Sequence, residues 1–369
     1  MSTLVVCLDG TNQVKHQPDP TNVARIFDAL GGAAADAGNG SWETAAAGAP
    51  ALLGKYLPGV GTQGNAILRV LGSAFGDGIA EPIVRGYTFL SRNYQAGDEI
   101  FITGFSRGAT AARALAGFVA VHGLLDPAKY ASADKDAAYR RAIAAWYAYR
   151  EPHPNFADQF RLNLIGQSLG GALPALNAGD YIAVPQIRAV GVFDTVSSLG
   201  LPQLDSNGRA VFDFTICDTA LNAKVLNGFH ALAADETRDL FSPTLWTDRA
   251  GVVQQIFPGA HSNVGGGYPE RGLSDGALDW MLTQFQGVGL PFSAALIAPA
   301  VAKNPLDIAR DDAVTFPFKD TPRRARAFPH CATPSQFLRD RLNRPTEVLP
   351  GSAVTQYKPT ATYADGSPI

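Results

Sequence analysis

No apolar run in this 369-residue chain approaches the roughly 20 residues that a helix needs to cross a bilayer, so a helical membrane span is excluded. Cysteine is scarce: Cys7, Cys217 and Cys331 are odd in number and far apart, and neither a disulfide framework nor a zinc-ligand spacing can be built from them. Charged residues make up only 17% and sum to a net charge of −3, with no basic block and no basic–aromatic interleaving, which argues against nucleic acid as a partner. The start, MSTLVVCLDG, has no charged leader and meets Asp9 after a short apolar run, so it reads as a first strand and not as a signal peptide. The expected location is cytoplasmic in the producing cell, with exit only through a machinery that reads no cleavable signal. No repeat of solenoid period is present.

Hydrophobic residues make up 46%, and the length is ample for one large α/β domain with elaborations. Leu4 to Leu8 reads as a strand ending in the polar turn Asp9-Gly10-Thr11, and Thr21 to Leu30 as a helix. The Ala/Gly-rich stretch from Gly31 to Gly54 reads as a loop or weak helix, and Ile79 to Tyr94 as an amphipathic helix. Gly59 to Gly64 resembles a phosphate loop only superficially, because the Lys-Ser/Thr pair is missing. Between about Val121 and Ala183 the pattern changes; the aromatic helix Tyr139 to Tyr149 is either a core helix or part of a cap over a site. Ile187 to Phe193 and Val252 to Phe257 read as strands, separated by a helical segment over Thr219 to Ala234. Beyond Asn304 the chain turns irregular and rich in Arg and Pro, and Gly351 to Ile369 reads as a polar, mobile tail. The predicted class is α/β, with a mostly parallel central sheet and helices on both faces. Residues 1–120 and 184–300 would form the core, 121–183 an inserted helical and loop cap region, and 301–369 an irregular extension packed on the core.

The segment EIFITGFSRGATAARALAGFV, Glu99 to Val119, reads as strand, sharp turn and helix with Ser106 at the turn. Gly104 and Gly108 give it the G-x-S-x-G spacing of a nucleophile elbow, in which a strained turn lifts a hydroxyl to the end of a strand. A helix starting there also aims its N-terminal N–H groups and dipole at an oxyanion. The plainer alternative is a βα turn whose serine caps the helix. A second match, Gly166-Gln167-Ser168-Leu169-Gly170, follows an irregular proline-containing stretch and is interrupted by Pro174, so Ser168 reads as a loop residue.

A serine nucleophile needs a base and an orienting carboxylate. Of six histidines, His261 follows the strand Val252 to Phe257 through Pro258-Gly259 and precedes Gly265-Gly266-Gly267, a loop free to place a ring. Asp194 closes the strand Ile187 to Phe193. All three residues then lie at carboxyl ends of strands, where open α/β sheets bind ligands. Their order, Ser106, Asp194, His261, is that of an α/β-hydrolase. The oxyanion hole would use the N–H of Arg107 with one from Gly10 or Thr11. No metal or organic cofactor is called for.

The blocks LVVCLDGTNQ, TNVARIF, YLPGVGT, DEIFITGFSRGATAAR, GVFDTVSSLG, HALAADETRDLFSPTLW and FPGAHSNVGGGYPERGLSDGALDWM, in this order, resemble the α/β-hydrolase phospholipase effectors of type VI secretion systems. The resemblance implies a Ser106-Asp194-His261 esterase acting on glycerophospholipids, contact with a membrane surface, and a secretion-machinery or immunity partner. It also places Asp9, Thr11, Asp235, Glu236 and Arg238 in family motifs, where they would order loops around the site. Asn263 stands where the family pattern has aspartate, and Ser197 where it often has glycine. Two other readings compete: a non-catalytic lipid-binding or effector-assembly module with the same fold, and a haloacid-dehalogenase-like phosphatase. The latter would need an aspartate where this chain has Cys7.

Overall fold

The computed structural model describes residues 1–46, 51–59, 79–130, 135–150, 172–196, 219–292, 302–310, 322–348 and 350–369. Ser168, Cys217 and most of the Gly59 to Gly64 stretch lie outside them. Among the described residues a nine-stranded sheet runs β9-β8-β7-β6-β5-β1-β4-β3-β2. Its strands are β1 (Ser2–Leu8), β2 (Ala35–Gly38), β3 (Ser41–Ala46), β4 (Ala51–Leu57), β5 (Glu99–Phe105), β6 (Ile187–Phe193), β7 (Val225–Ala233), β8 (Val252–Phe257) and β9 (Ala332–Pro334). Pairing is parallel from β9 across to β4 and antiparallel for β4-β3-β2.

The strand β1 is apolar at nearly every position because helices cover both faces of the sheet. Leu4, Val6 and Leu8 point into one layer with α2 (Ala80–Asn93), α3 (Arg107–His122) and α4 (Lys135–Arg150). Val5 and Cys7 point into the other, against α1 (Asn22–Ala29) and α6 (Gly272–Gly287). The alanines of α3 keep that helix close to the sheet, and Phe118 on it meets Trp146 of α4 edge to face at 5.4 Å. The aromatic helix is thus a core helix.

Three segments differ from the sequence reading. Gly31 to Gly54 holds β2, β3 and the start of β4, joined through Asn39-Gly40 at φ 51° and 68°, a turn whose twist suits a hairpin. The stretch Thr219 to Ala234 is not helical: β7 occupies most of it, and its run from Gly228 to Ala233 is wholly buried between β6 and β8. The C-terminal part is paired into the fold, with Thr355–Gln356 against Pro345–Thr346. β9 joins the sheet edge, α7 (Gln336–Arg341) follows under a Ser335 cap, and Thr362–Tyr363 pairs with Ala327–Phe328.

Candidate active site

Ser106 follows the last residue of β5 at φ 58°, ψ −125°, left-handed backbone that a non-glycine residue occupies only under constraint. The two flanking glycines explain how the turn closes. A Cβ on Gly104 would lie 2.3 Å from the Gly108 carbonyl oxygen, and one on Gly108 would lie 2.3 Å from the carbonyl oxygens of Leu8 and Asp9. The Ser106 N–H donates to the Phe193 carbonyl at 3.1 Å, tying the turn to the neighbouring strand one residue before Asp194. Ser106 holds the N-cap position of α3 through its carbonyl, and its hydroxyl makes no cap hydrogen bond.

Asp194, at φ 40°, is the residue after β6, and its buried carboxylate accepts four hydrogen bonds. Oδ1 receives the Ala233 N–H at 3.0 Å and Arg326 Nη1 at 2.6 Å; Oδ2 receives Arg326 Nη2 at 3.0 Å and faces His261 Nδ1 at 2.6 Å. Burial opposes the carboxylate charge, but Arg326 and His261 outweigh it and hold the group well below the usual carboxylate range. The Asp194 turn is held from behind by β7, where His230 Nε2 accepts the Thr195 N–H at 3.1 Å. Burial, reinforced by Arg113, pushes His230 down to about 3, so it stays the neutral acceptor this bond needs.

His261 opens a short helix, α5 (His261–Gly265), and not a free loop. With Nδ1 donating to Asp194, Nε2 carries the lone pair; that atom is buried and has no hydrogen-bond partner among the described residues. The ring packs at 4.6 Å on Phe105, the residue before Ser106, and Phe241 meets it edge on at 5.0 Å. Its N–H donates to Glu236 Oε2 at 3.2 Å, and Glu236 is paired with Arg238 at 2.7 Å and 2.8 Å. The Arg238 guanidinium in turn lies 3.5 Å from the Phe241 ring centroid. Asp235 accepts the Gly259 N–H and the Tyr357 hydroxyl, both at 2.7 Å, bracing the turn before His261. Asn263 is a cap and no charge partner: its Oδ1 accepts the Ala260 N–H at 3.1 Å.

The loop after β1 completes the surroundings. Asp9 accepts the Thr21 hydroxyl at 2.7 Å and the Tyr56 hydroxyl at 2.6 Å, and Thr21 also caps α1. Its Oδ1 also takes the Gly10 N–H at 2.7 Å, so Gly10 is not available as an oxyanion donor and Thr11 is left as the candidate in this loop. The Thr11 hydroxyl accepts from Arg107 Nε, which links the loop to the first residue of α3.

Of the three residues expected at the site, Asp194 and His261 are in hydrogen-bond contact, and Ser106 follows Phe105, whose ring packs on His261, without a hydrogen bond to Nε2; Arg326, Phe105, Phe241 and the support from His230 were not expected from the sequence. Nothing local marks Arg326, which is one of several arginines in an irregular stretch.

A family-level comparison matches residues 2–284 to "T6SS, Phospholipase effector Tle1-like, catalytic domain". The chain belongs to this family. An uncharacterized Saccharomyces cerevisiae protein, YEL023C, is 31% identical over 136 residues, covering 33% of this chain and 18% of that protein. A crystal structure of an uncharacterized Pseudomonas aeruginosa protein shares 19% identity at a TM-score of 0.39, over 79% of this chain and 46% of that one. The structure of a Tle1 effector bound to a VgrG spike shares 19% identity at a TM-score of 0.38, over 73% and 52% respectively. This Tle1-like chain therefore spans about half the length of those solved chains or less. Among its described residues no helix is long and apolar enough to cross a membrane.

Proposed function

We propose that this Tle1-like chain is a serine esterase with an α/β-hydrolase core that hydrolyses carboxylic esters of glycerophospholipids, a phospholipase A activity. One observation carries the reading: His261 is held through Nδ1 by Asp194, while its Nε2 stays buried with no partner among the described residues and its ring lies on the residue preceding Ser106. Family membership supplies the substrate class.

In this reading Ser106 Oγ attacks the ester carbonyl and His261 Nε2 takes its proton, then returns it to the departing alcohol. Water, deprotonated by the same nitrogen, releases the acid from the acyl-serine. Asp194 keeps the imidazole in the tautomer that leaves Nε2 free to accept. The N–H groups of Arg107 and Thr11 hold the oxyanion, each such donor contributing about 2.7–4 kcal/mol in comparable sites. Residues 1–120 and 184–300 would form the catalytic core, 121–183 an inserted region whose helix α4 packs into that core, and 301–369 an extension that adds β9 to the sheet. Membrane-surface contact and a secretion-machinery or immunity partner are part of the same proposal, supported only by the family's description as a type VI secretion phospholipase effector.

Labelling with a fluorophosphonate followed by peptide mapping tests the nucleophile. Ser106 should be modified, and Ser106→Ala should lose labelling and ester hydrolysis together. Modification at Ser168 with Ser106 untouched overturns the assignment, and no labelling at all favours a lipid-binding module. Hydrolysis of short soluble esters without hydrolysis of phospholipid vesicles or micelles would remove the phospholipase part.

A further inference from the structure

The acid of the site is held from a part of the chain beyond the matched span of residues 2–284. Arg326 precedes the short strand Ala327–Phe328 and is buried at 6% exposure. Its guanidinium donates four hydrogen bonds in two parallel pairs. Nη1 reaches Asp194 Oδ1 at 2.6 Å and the Ala233 carbonyl at 2.8 Å; Nη2 reaches Asp194 Oδ2 at 3.0 Å and the Phe241 carbonyl at 2.6 Å.

We propose that Arg326 is a positioning residue for the reaction, fixing the plane of the Asp194 carboxylate so that Oδ2 stays directed at His261 Nδ1. The inference rests on the serine-esterase reading above. A carboxylate with only one partner can rotate about its Cβ–Cγ bond, whereas a fork-to-fork pair with arginine defines its plane. Two backbone carbonyls pin the fork itself. One belongs to Ala233, whose N–H also donates to Oδ1; the other belongs to Phe241, whose ring borders His261. Asp194, Arg326 and the imidazole are thus held by one set of backbone groups. A lysine would keep the charge but could not reproduce the paired geometry.

Arg326 also places a fixed positive charge one carboxylate away from the imidazole. Among the described residues the other charged or titratable groups facing this assembly are Glu236 at the His261 backbone N–H, Arg238 bound to Glu236, His230 on β7 beneath Asp194, and Arg113, whose charge acts on His230. Loss of the Arg326 charge favours the protonated imidazole, while any loosening of the Asp194–His261 bond disfavours it. The rising limb of the pH–rate profile should therefore be displaced, a change that a residue not acting through Asp194 would not produce.

The test measures steady-state hydrolysis of a soluble p-nitrophenyl ester from about pH 5 to about pH 9 for the full chain and for Arg326→Gln, Arg326→Lys, Asp194→Asn and the Asp194→Asn/Arg326→Gln pair. Arg326→Gln should lower kcat about 100-fold with KM within about twofold and displace the rising limb. Arg326→Lys, which keeps the charge without the fork, should leave kcat about 10-fold low. On the Asp194→Asn background the Arg326→Gln change should cost little more, because its effect passes through Asp194. Wild-type kcat with an unmoved limb in Arg326→Gln overturns the proposal, as does a loss fully additive with Asp194→Asn. If Arg326→Gln shows no cooperative unfolding, Arg326→Lys decides, and wild-type kcat there overturns the proposal. The downfield proton resonance of a His261 Nδ1–H bonded to Asp194 is read independently of turnover. It should be lost or displaced in Arg326→Gln, and an unchanged resonance counts against the proposal. Absence of fluorophosphonate labelling at Ser106 in the wild type would sink the esterase reading, and the resonance would still decide the role of Arg326.

Discussion

At the residue scale the site holds two non-glycine residues, Ser106 at φ 58° and Asp194 at φ 40°, in backbone that side chains disfavour. Each such residue costs about 1–3 kcal/mol and persists only where its neighbours over-determine it. For Ser106 the neighbours are the Phe193 carbonyl, which receives its N–H, and the close packing of Gly104 on Gly108. Ser106 is therefore held in a conformation that stability alone would not select. Ser106→Gly should relieve the strain and, after the extra backbone entropy of glycine is counted at about 0.5–1 kcal/mol, stabilise the fold by about 1 kcal/mol; if Ser106 is the proposed nucleophile, it should also abolish hydrolysis. Urea unfolding midpoints measure this, and a Ser106→Gly chain less stable than wild type would show that the turn is unstrained.

At the scale of elements, the elbow depends on how closely α3 approaches the end of β1. The atoms a Gly108 Cβ would meet are backbone carbonyls, which cannot swing aside. Gly108→Ala should destabilise the chain by about 2 kcal/mol or more and displace the Asp9 to Thr11 loop, lowering activity with it. Gly287 is the contrasting case: it closes α6, and an added Cβ there meets nothing within 4 Å. Gly287→Ala should stabilise by about 0.5 kcal/mol, again read from denaturant midpoints. The elbow was legible because its period switches from strand to helix within a few residues around a glycine-bounded serine. The β2–β3 hairpin carried its own signal in Asn39-Gly40, but the surrounding alanines and glycines have little strand preference and obscured it. β7 was misread for a different reason. Buried on both faces, it shows no alternation, and a short apolar run without alternation is equally compatible with a helix.

At the scale of the whole molecule, what sequence could not show is what the last third of the chain does for the first two. Arg326 and Tyr357 reach Asp194 and Asp235 across 132 and 122 residues, and such pairings leave no local pattern. The fold also buries two titratable groups with opposite effects on stability. Burial raises Asp9 to about 6, so between about pH 4 and about pH 6 the folded chain keeps a proton that the unfolded chain has lost, and this term weakens folding as pH rises. Burial lowers His230 to about 3, so between about pH 3 and about pH 6.5 the unfolded chain holds the extra proton, and this term strengthens folding as pH rises. Each changes stability by about 1.4 kcal/mol per pH unit, and from about pH 4 to about pH 6 they nearly cancel. Asp9→Asn removes one of them. Whatever its absolute stability, its unfolding free energy should climb about 1.4 kcal/mol per pH unit more steeply than wild type across that window, and His230→Gln should show the reverse difference. Urea titrations at half-unit intervals measure the slopes. Parallel wild-type and Asp9→Asn curves would mean that Asp9 titrates in the folded chain as it does in the unfolded one. The hydrogen bonds from Thr21, Tyr56 and Gly10 would then offset its burial in full, leaving the loop beside Ser106 insensitive to pH in this range.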